Sequence, residues 1–352
     1  MATPLKIESY LRDVFGPEAK LISINALGQE EHDTGISNLL RLEVQVGSAT
    51  QQLILRRPAP TVYGTEQLAD RAQAVLQAYE AYRHLPRHPR SLDVAVLRKD
   101  GTLSSIPGDT EFVLLQEYAP GTPYVLSLLQ SLRSEELDEL AERRAAALAE
   151  YLLSLHRETR DDSRVYRRSL RDLIAGGTGA MGVIGGYAQE LRDAFHAELN
   201  DILRDFISLA WHLDRYPCRL CRIHGDFHPL NVLFGEATEL SVIDSAGIGW
   251  GDAALDVGNL LMNYYTLYNQ PGRLSSPSGR RLAERFLQTY VAGCSDVAGL
   301  YRVLPLPMAR VALIMATTDF FPHRPMDERR RLIQLAGSIL SAGVFSPHLF
   351  TT

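Results

Sequence analysis

The chain has 352 residues, 36 Lys and Arg against 42 Asp and Glu, and a net charge of −6. That balance excludes a protein built for non-specific nucleic-acid binding, which needs a basic excess, and 45% hydrophobic residues with 22% charged residues exclude a disordered chain. Only three of the basic residues are lysines, Lys6, Lys20 and Lys99, so any chemistry that needs a cation draws almost entirely on the 33 arginines.

The length suggests two domains at roughly 150 residues each. Met1–Gly16 carries charges throughout, and Leu5, Tyr10, Leu11 and Phe15 give it the pattern of an amphipathic helix, not of a signal peptide. Leu21–Leu27 alternates as a short strand. Asn38–Val46 and Gln51–Arg57, separated by Gly-Ser-Ala-Thr, read as a hairpin. A helix is predicted over about Thr65–Leu85, with Leu68, Ala72, Val75, Leu76 and Tyr79 on one face, ended by Pro86 and Pro89. Asp93–Arg98 and Glu111–Glu117 are further strands, joined by a Gly/Pro loop over Asp100–Thr110.

From Ala119 the pattern turns helical. Ser134, followed by Glu135 and Glu136, reads as a helix start, and Leu137, Leu140, Leu148, Tyr151, Leu152 and Leu155 form its apolar stripe. Gly176–Gly186 holds six glycines in eleven positions without the strand-then-helix setting of a dinucleotide fingerprint, and reads as a mobile loop. A helix follows over about Ala188–Leu213. Short strands are expected at Cys221–His224, Leu233–Phe234 and Glu239–Ile243. Helices return at about Asp252–Tyr268, Arg280–Ala292, Pro307–Phe320 and Asp327–Ser341. The organisation is a strand-rich N-terminal domain, 1–118, and a larger helical domain, 119–352, with a joint at about 116–119.

No apolar run approaches the roughly 18 residues needed to cross a bilayer, so no membrane partner is expected. Three cysteines cannot build a disulfide framework, and a reduced cytoplasmic setting is the default. Cys218 and Cys221 have CxxC spacing, yet only Cys294 remains to complete a soft ligand set, so these thiols read as buried structural residues.

The segment Arg222–Phe234 carries the chemistry. His224, Gly225 and Asp226 are followed by Asn231 five residues after the aspartate, and Asp244 ends an apolar strand thirteen residues later. Two carboxylates and an amide oxygen form a hard ligand set of the kind Mg²⁺ takes alongside substrate phosphates. Phosphoryl transfer uses such groups to orient a hydroxyl and hold metal ions.

These residues resemble the catalytic and metal-binding motifs of the aminoglycoside phosphotransferase/choline kinase family. Gly249-Trp-Gly-Asp252-Ala-Ala-Leu-Asp256 resembles the same family's GDPxxDL signature, with Ala253 where proline is usual. The resemblance implies an α+β, two-lobed protein-kinase-like fold. In it a small antiparallel-sheet N-terminal lobe and a larger, mostly helical C-terminal lobe hold ATP between them. It matches Asp226 to the catalytic base, His224 to a structural residue of the catalytic loop, and Asn231 and Asp244 to the magnesium ligands. Asp252 and Asp256 match the acidic helix start that braces that loop.

Further along the same resemblance, Gly35-Ile-Ser37-Asn38 matches a turn over the nucleotide phosphates. Arg56, or Arg57, stands where the family carries its ATP-clamping lysine, with Glu80, or Glu66, as the helix partner. Phe112–Tyr118, including Gln116, Glu117 and Tyr118, matches the hinge that holds adenine. The implied activity is transfer of the ATP γ-phosphate, with Mg²⁺, to a hydroxyl of a small molecule such as an aminoglycoside, an amino alcohol or a sugar-like acceptor. The missing lysine leaves a nucleotide-binding pseudokinase as the alternative, and HGD in place of HRD argues against a protein kinase. The two halves have the same charge, 12 basic against 15 acidic residues in 1–118 and 24 against 27 in 119–352, so charge does not favour a polycationic acceptor. The family places acceptor contacts in the Gly176–Gly186 loop and in the helices after Asp252. A monomer or homodimer is expected, with no nucleic-acid partner.

Overall fold

A computed structural model of the chain describes residues 6–27, 37–60, 67–84, 90–106, 119–133, 138–245, 249–268 and 277–347. It divides into two units, Met1–Gln116 and Glu117–Thr352.

In the first unit, α1 (Ile7–Phe15) leads into an antiparallel meander of β1 (Lys20–Leu27), β2 (Ser37–Val46) and β3 (Ala49–Pro58). The β2–β3 register runs from Ser37 opposite Pro58 to Val46 opposite Ala49, so Gly47 and Ser48 make the turn. Period-2 alternation turns Leu42 and Val44 to one face, where α1 lays Ile7, Tyr10 and Leu11, and Leu53 and Leu55 of β3 pack against the same core. α2 (Leu68–His84) and the hairpin β4 (Val94–Leu97)–β5 (Leu103–Ile106) follow. The hairpin holds α1 at its start through Lys6 N–H to Gly101 O at 2.8 Å and the Tyr10 hydroxyl to Asp93 at 2.7 Å.

The second unit opens with β6 (Thr122–Pro123), α3 (Tyr124–Ser131) and α4 (Glu139–His156). Next come α5 (Ser163–Ala175), α6 (Ala180–Gly185), α7 (Gln189–Ala194) and α8 (His196–Leu213). β7 (Leu220–Arg222), β8 (Val232–Phe234), β9 (Leu240–Val242) and β10 (Trp250–Asp252) form two small antiparallel sheets, β6–β8–β9 and β7–β10. α9 (Ala254–Tyr268), α10 (Pro277–Gly293), α11 (Val297–Val303), α12 (Pro305–Met315) and α13 (Met326–Ala342) complete the chain. One continuous apolar core joins these helices to the small strands. Side-chain caps fix several helix starts, as the first turn's unpaired N–H groups require: Asp138 accepts from Leu140, Asp162 from Val165 and Asp296 from Gly299.

The antiparallel N-terminal strands and the helical remainder agree with the expected α+β class. Several local expectations change. The helix expected to start at Ser134 is capped by Asp138; 134–137 lie outside the described residues, as does the strand expected at Glu111–Glu117. The Asp100–Thr110 loop contains β5, because Leu103 turns inward opposite Leu97. The Gly176–Gly186 segment contains α6, with Ala180, Val183 and Ile184 buried. Three of its glycines, Gly176, Gly179 and Gly182, serve close packing: a Cβ on Gly176 would stand 2.6 Å from Asp172 O, and one on Gly182 would stand 2.6 Å from Gly176 O. The helix expected over Ala188–Leu213 breaks at Phe195, which is buried and has β-side φ, into α7 and α8. The helix expected over Pro307–Phe320 starts at Pro305, ends at Met315 and is preceded by α11. Val297–Met315 is apolar and long enough to cross a bilayer by composition; here it is split into two helices and 67% of it is buried. Of the cysteines only Cys221 is buried, while Cys218 is exposed.

Candidate active site

The site is built on the turn between β7 and β8. Gly225 has φ +85°, a left-handed conformation that a side chain resists, and it reverses the chain directly before Asp226. The reversal aims the N–H groups of His224 and Gly225 at one buried carboxylate. Asp256, in the first turn of α9, accepts from them at 2.8 and 2.7 Å. Asp256 is itself fixed by His156 Nε2 at 3.1 Å, whose Nδ1 meets the Tyr290 hydroxyl at 2.7 Å. From the same helix, Asn259 Nδ2 reaches Gly225 O.

His224 has both ring nitrogens committed. Nε2 donates to Ile243 O at 3.0 Å, and Nδ1 accepts from the Asp226 N–H at 3.3 Å, which fixes the tautomer with the proton on Nε2. It ties the start of the loop to the residue before Asp244. His224 is thus a positioning residue of the loop, and Asp226 is the member of the pair whose side chain remains presented. Phe227, fully buried, stacks on Tyr151 and underlies the His224 ring edge-on.

Asp226 is half-exposed and stays ionised. Burial is the largest single influence and raises its pKa. The hydrogen bond of His228, with the electrostatic influence of the nearby His228, Arg310 and His224 side chains, outweighs burial and brings it below the ordinary aspartate value. His228 Nε2 stands 3.5 Å from Asp226 Oδ2, while its Nδ1 accepts from the Leu230 N–H. A carboxylate held this way is a weak base and a permanent acceptor, suited to orienting a hydroxyl proton.

Asn231 draws the remaining residues together. Its Nδ2 faces Asp226 O at 3.0 Å, Asp226 Oδ2 at 3.4 Å and Asp244 O at 3.4 Å. Three acceptors around one nitrogen settle the amide's orientation and turn Oδ1 the other way. The β8–β9 pairing, with Ile243 N–H on Asn231 O at 2.9 Å, brings Asp244 alongside. Asp244 has φ +57°, uncommon for a residue with a side chain, and its exposed carboxylate has no partner among the described residues. An amide oxygen not used by these contacts and an exposed carboxylate on the neighbouring strand end are donors of the kind a hard cation takes when it keeps most of its coordination for water and phosphate oxygens. Among the described residues no group of three His, Cys, Asp or Glu side chains converges as a closed metal cage, and an open site of this kind does not need one.

Asp252 and Asp256, paired in the sequence reading as braces of the loop, divide the work. Only Asp256 touches the loop. Asp252, fully buried, caps α9 through the Ala254 N–H at 3.0 Å and is forked by Arg219 at 2.7 and 2.9 Å, with the Tyr166 hydroxyl at 3.1 Å. Arg219 also reaches Asp296 at the start of α11.

The nucleotide-side residues are less exposed to description. Arg56 and Arg57 are both solvent-exposed on β3, opposite Leu39 and Asn38. They point to opposite faces of the sheet: Arg57 to the face of Leu53 and Leu55, which pack in the core, and Arg56 to the other. Ser37 and Asn38 open β2, and Glu80 lies on α2, without described side chains. Gly35, Glu66, Gln116, Glu117 and Tyr118 lie outside the described residues.

With this geometry in place, comparison with known proteins is informative. The model of the phosphotransferase enzyme family, APH, matches residues 30–300. The chain belongs to this family. It is a small-molecule phosphotransferase. A search of curated proteins found no match. Among solved structures, similar chains include an amicoumacin kinase in complex with AMP-PNP, Ca²⁺ and Ami (13% identity, 93% of this chain and 91% of that one, TM-score 0.43). A choline/ethanolamine kinase family protein from Mesorhizobium loti gives 15%, 94% and 90%, and 0.41. A glucosamine kinase in complex with glucosamine, ADP and inorganic phosphate gives 12%, 97% and 98%, and 0.38.

Sequence reading missed several residues. His228 stands two positions past Asp226, and its proximity in the chain was the available signal. His156, Tyr166 and Arg219 have none, because only folding brings them to Asp256 and Asp252. Arg310 has one: it is a lone charge in the apolar run Pro305–Met315.

Proposed function

We propose that the protein transfers the γ-phosphate of ATP to a hydroxyl of a small molecule, using Mg²⁺. The convergence of Asp226, Asn231 and Asp244 carries this reading. Asn231 Oδ1 and the Asp244 carboxylate would hold the cation, which supplies charge neutralisation on the phosphates. Asp226 accepts the hydrogen bond of the acceptor hydroxyl, points its oxygen at phosphorus, and takes the proton as the new bond forms. His224 and Asp256 hold the Asp226 backbone still while it does so.

On the nucleotide side the reading assigns the phosphate clamp to Arg56, which shares its β3 face with the exposed Ile54 and lies away from the core under the sheet. The lysines support an arginine clamp. Lys6 pairs with Asp100 at 3.1 Å, Lys20 opens β1 and Lys99 lies in the β4–β5 turn. A guanidinium can meet phosphate oxygens as a two-pronged donor.

Asp226→Asn is the test. With ATP, Mg²⁺ and an accepted alcohol, turnover should fall about 10²–10⁴-fold with ATP affinity and the thermal transition preserved. Turnover equal to wild type would remove Asp226 from the chemistry. Magnesium-dependent ATP binding without turnover on any alcohol would favour a pseudokinase.

A further inference from the structure

Four charged side chains in the described residues are at least nine-tenths buried: Asp252, Asp256, Arg310 and Arg329. Three are fully engaged. Asp252 has the Arg219 fork, Asp256 has two backbone N–H groups and His156, and Arg329 donates to the carbonyls of Ala316, Thr317 and Phe321. Arg310 differs. Its Nε donates to Thr178 O at 2.6 Å, and its two terminal amino groups donate to nothing among the described residues. Those amino groups are not among the buried unpaired atoms, so although the side chain is nine-tenths buried, four of its five N–H donors reach solvent and stay open to a ligand.

Its position gives those donors a purpose. α12 packs closely on α9, where a Cβ on Gly258 would stand 2.8 Å from Pro307 Cγ. Arg310 is one turn beyond Pro307, and Asn259, next to Gly258, touches the carbonyl of Gly225 directly before Asp226. Asn259 Oδ1 is buried and also has no partner among the described residues. The Arg310 guanidinium is within Coulombic reach of the Asp226 carboxylate; burial pulls its pKa below the ordinary arginine value and Asp226 partly offsets this. Nε, anchored on the glycine-rich α5–α6 connection, fixes the plane of the fork.

We propose that Arg310 is a specificity residue that binds an anionic oxygen of the acceptor, most simply a carboxylate, beside the hydroxyl that Asp226 orients. The inference rests on the kinase reading above and narrows its substrate class. A planar fork with unused donors rewards a carboxylate in two-point contact and repels an ammonium placed there. The acceptor is therefore a hydroxy acid or a similar oxyanion-bearing alcohol, and polycations are disfavoured.

The experiment measures ADP release with ATP and Mg²⁺ over three acceptor pools: hydroxycarboxylates including glycerate and glucuronate, their neutral counterparts glyceramide and glucose, and amino alcohols including ethanolamine and an aminoglycoside. Wild type, Arg310→Met and Arg310→Lys are compared, each checked by thermal unfolding and by ATP affinity. Turnover should be highest in the carboxylate pool. Arg310→Met should raise KM for the carboxylate acceptor about 10–100-fold and KM for its neutral counterpart less than about threefold, any change of kcat from the lost charge near Asp226 being shared by both, and Arg310→Lys should recover part of the KM loss. Preference for neutral or cationic alcohols, unaffected by Arg310→Met, would overturn the inference and leave the kinase reading standing. An equal loss of kcat on every acceptor with no difference in KM between the pools would also overturn it, by moving Arg310 to the transferring phosphoryl group. ATP binding with no turnover in any pool would overturn the kinase reading itself. If Arg310→Met does not fold, Arg310→Lys with the same pools decides, since a point charge keeps attraction and loses the fork.

Discussion

Replacing Asp256 by Asn tests how the catalytic loop is held. The wild-type carboxylate is fully buried and accepts the N–H groups of His224 and Gly225 at 2.8 and 2.7 Å, with His156 Nε2 at 3.1 Å. An asparagine of the same shape has one oxygen for these donors. If the oxygen stays near His224 and His156, its NH₂ faces the Gly225 N–H, so two donors oppose each other in the interior. One unpaired buried N–H costs about 1–3 kcal/mol, and the surviving bonds lose their charge assistance, so a total of about 3 kcal/mol is expected. For a unit of this size that lowers Tm by roughly 6–12 °C. The same change releases the peptide that carries Asp226, and kcat should fall roughly 10–100-fold while the KM for ATP changes little. Differential scanning calorimetry and an ADP-release assay read both effects. Asp252→Asn is the internal control: it should also lower Tm, because it breaks the Arg219 fork, but should spare kcat, because the hydrogen bonds of its side chain among the described residues go to Arg219, Tyr166 and Ala254 and not to residues 224–226. A Tm within about 2 °C of wild type together with unchanged kcat for Asp256→Asn would refute the bracing argument.

Two further outcomes follow. Arg56→Met should raise the KM for ATP about tenfold and Arg57→Met should not, because the two side chains leave β3 on opposite faces and Arg57 shares the face of the core; equal effects in steady-state kinetics would contradict this. Asp296 caps α11 and meets Arg219. The Gly299 N–H is the largest influence lowering its pKa from 3.8, with Arg219 adding to it. A depressed carboxylate contributes stability above its unfolded pKa and loses it as pH falls through the folded value. The Tm difference between wild type and Asp296→Asn should therefore be full at neutral pH and shrink below about pH 4. A difference that stays constant down to pH 3 would show that the charge is not what matters.

Much of the site was legible because its spacing is local. Asp226 and Asn231 sit five residues apart on one turn, and Asp244 returns to them after a single β8–β9 hairpin, so short-range geometry alone brings the three together. Helix periods and strand alternation likewise outlined α4, α9, α13 and the β2–β3 hairpin. Local patterns failed where packing overruled them. The glycines of 176–186 looked like slack chain, and Gly176, Gly179 and Gly182 are instead close backbone contacts around the start of α6. The apolar stretch after Val297 gives no periodic signal for its break at Leu304, because α12 is buried on nearly every side.

The sequence by itself determined the class of chemistry, since an ordered set of hard oxygen donors on short spacings admits few reactions, and it raised the expectation that an arginine stands where the family carries a lysine, since none of the three lysines lies in the Gln51–Arg57 strand. Tertiary structure decided which aspartate braces the loop, which nitrogen of His224 carries the proton, and that the charge of Arg310 is felt at Asp226. Those facts depend on residues tens of positions apart meeting in a buried space. There each unpaired donor or charge is costly enough to select one arrangement, and no local spacing encodes that selection.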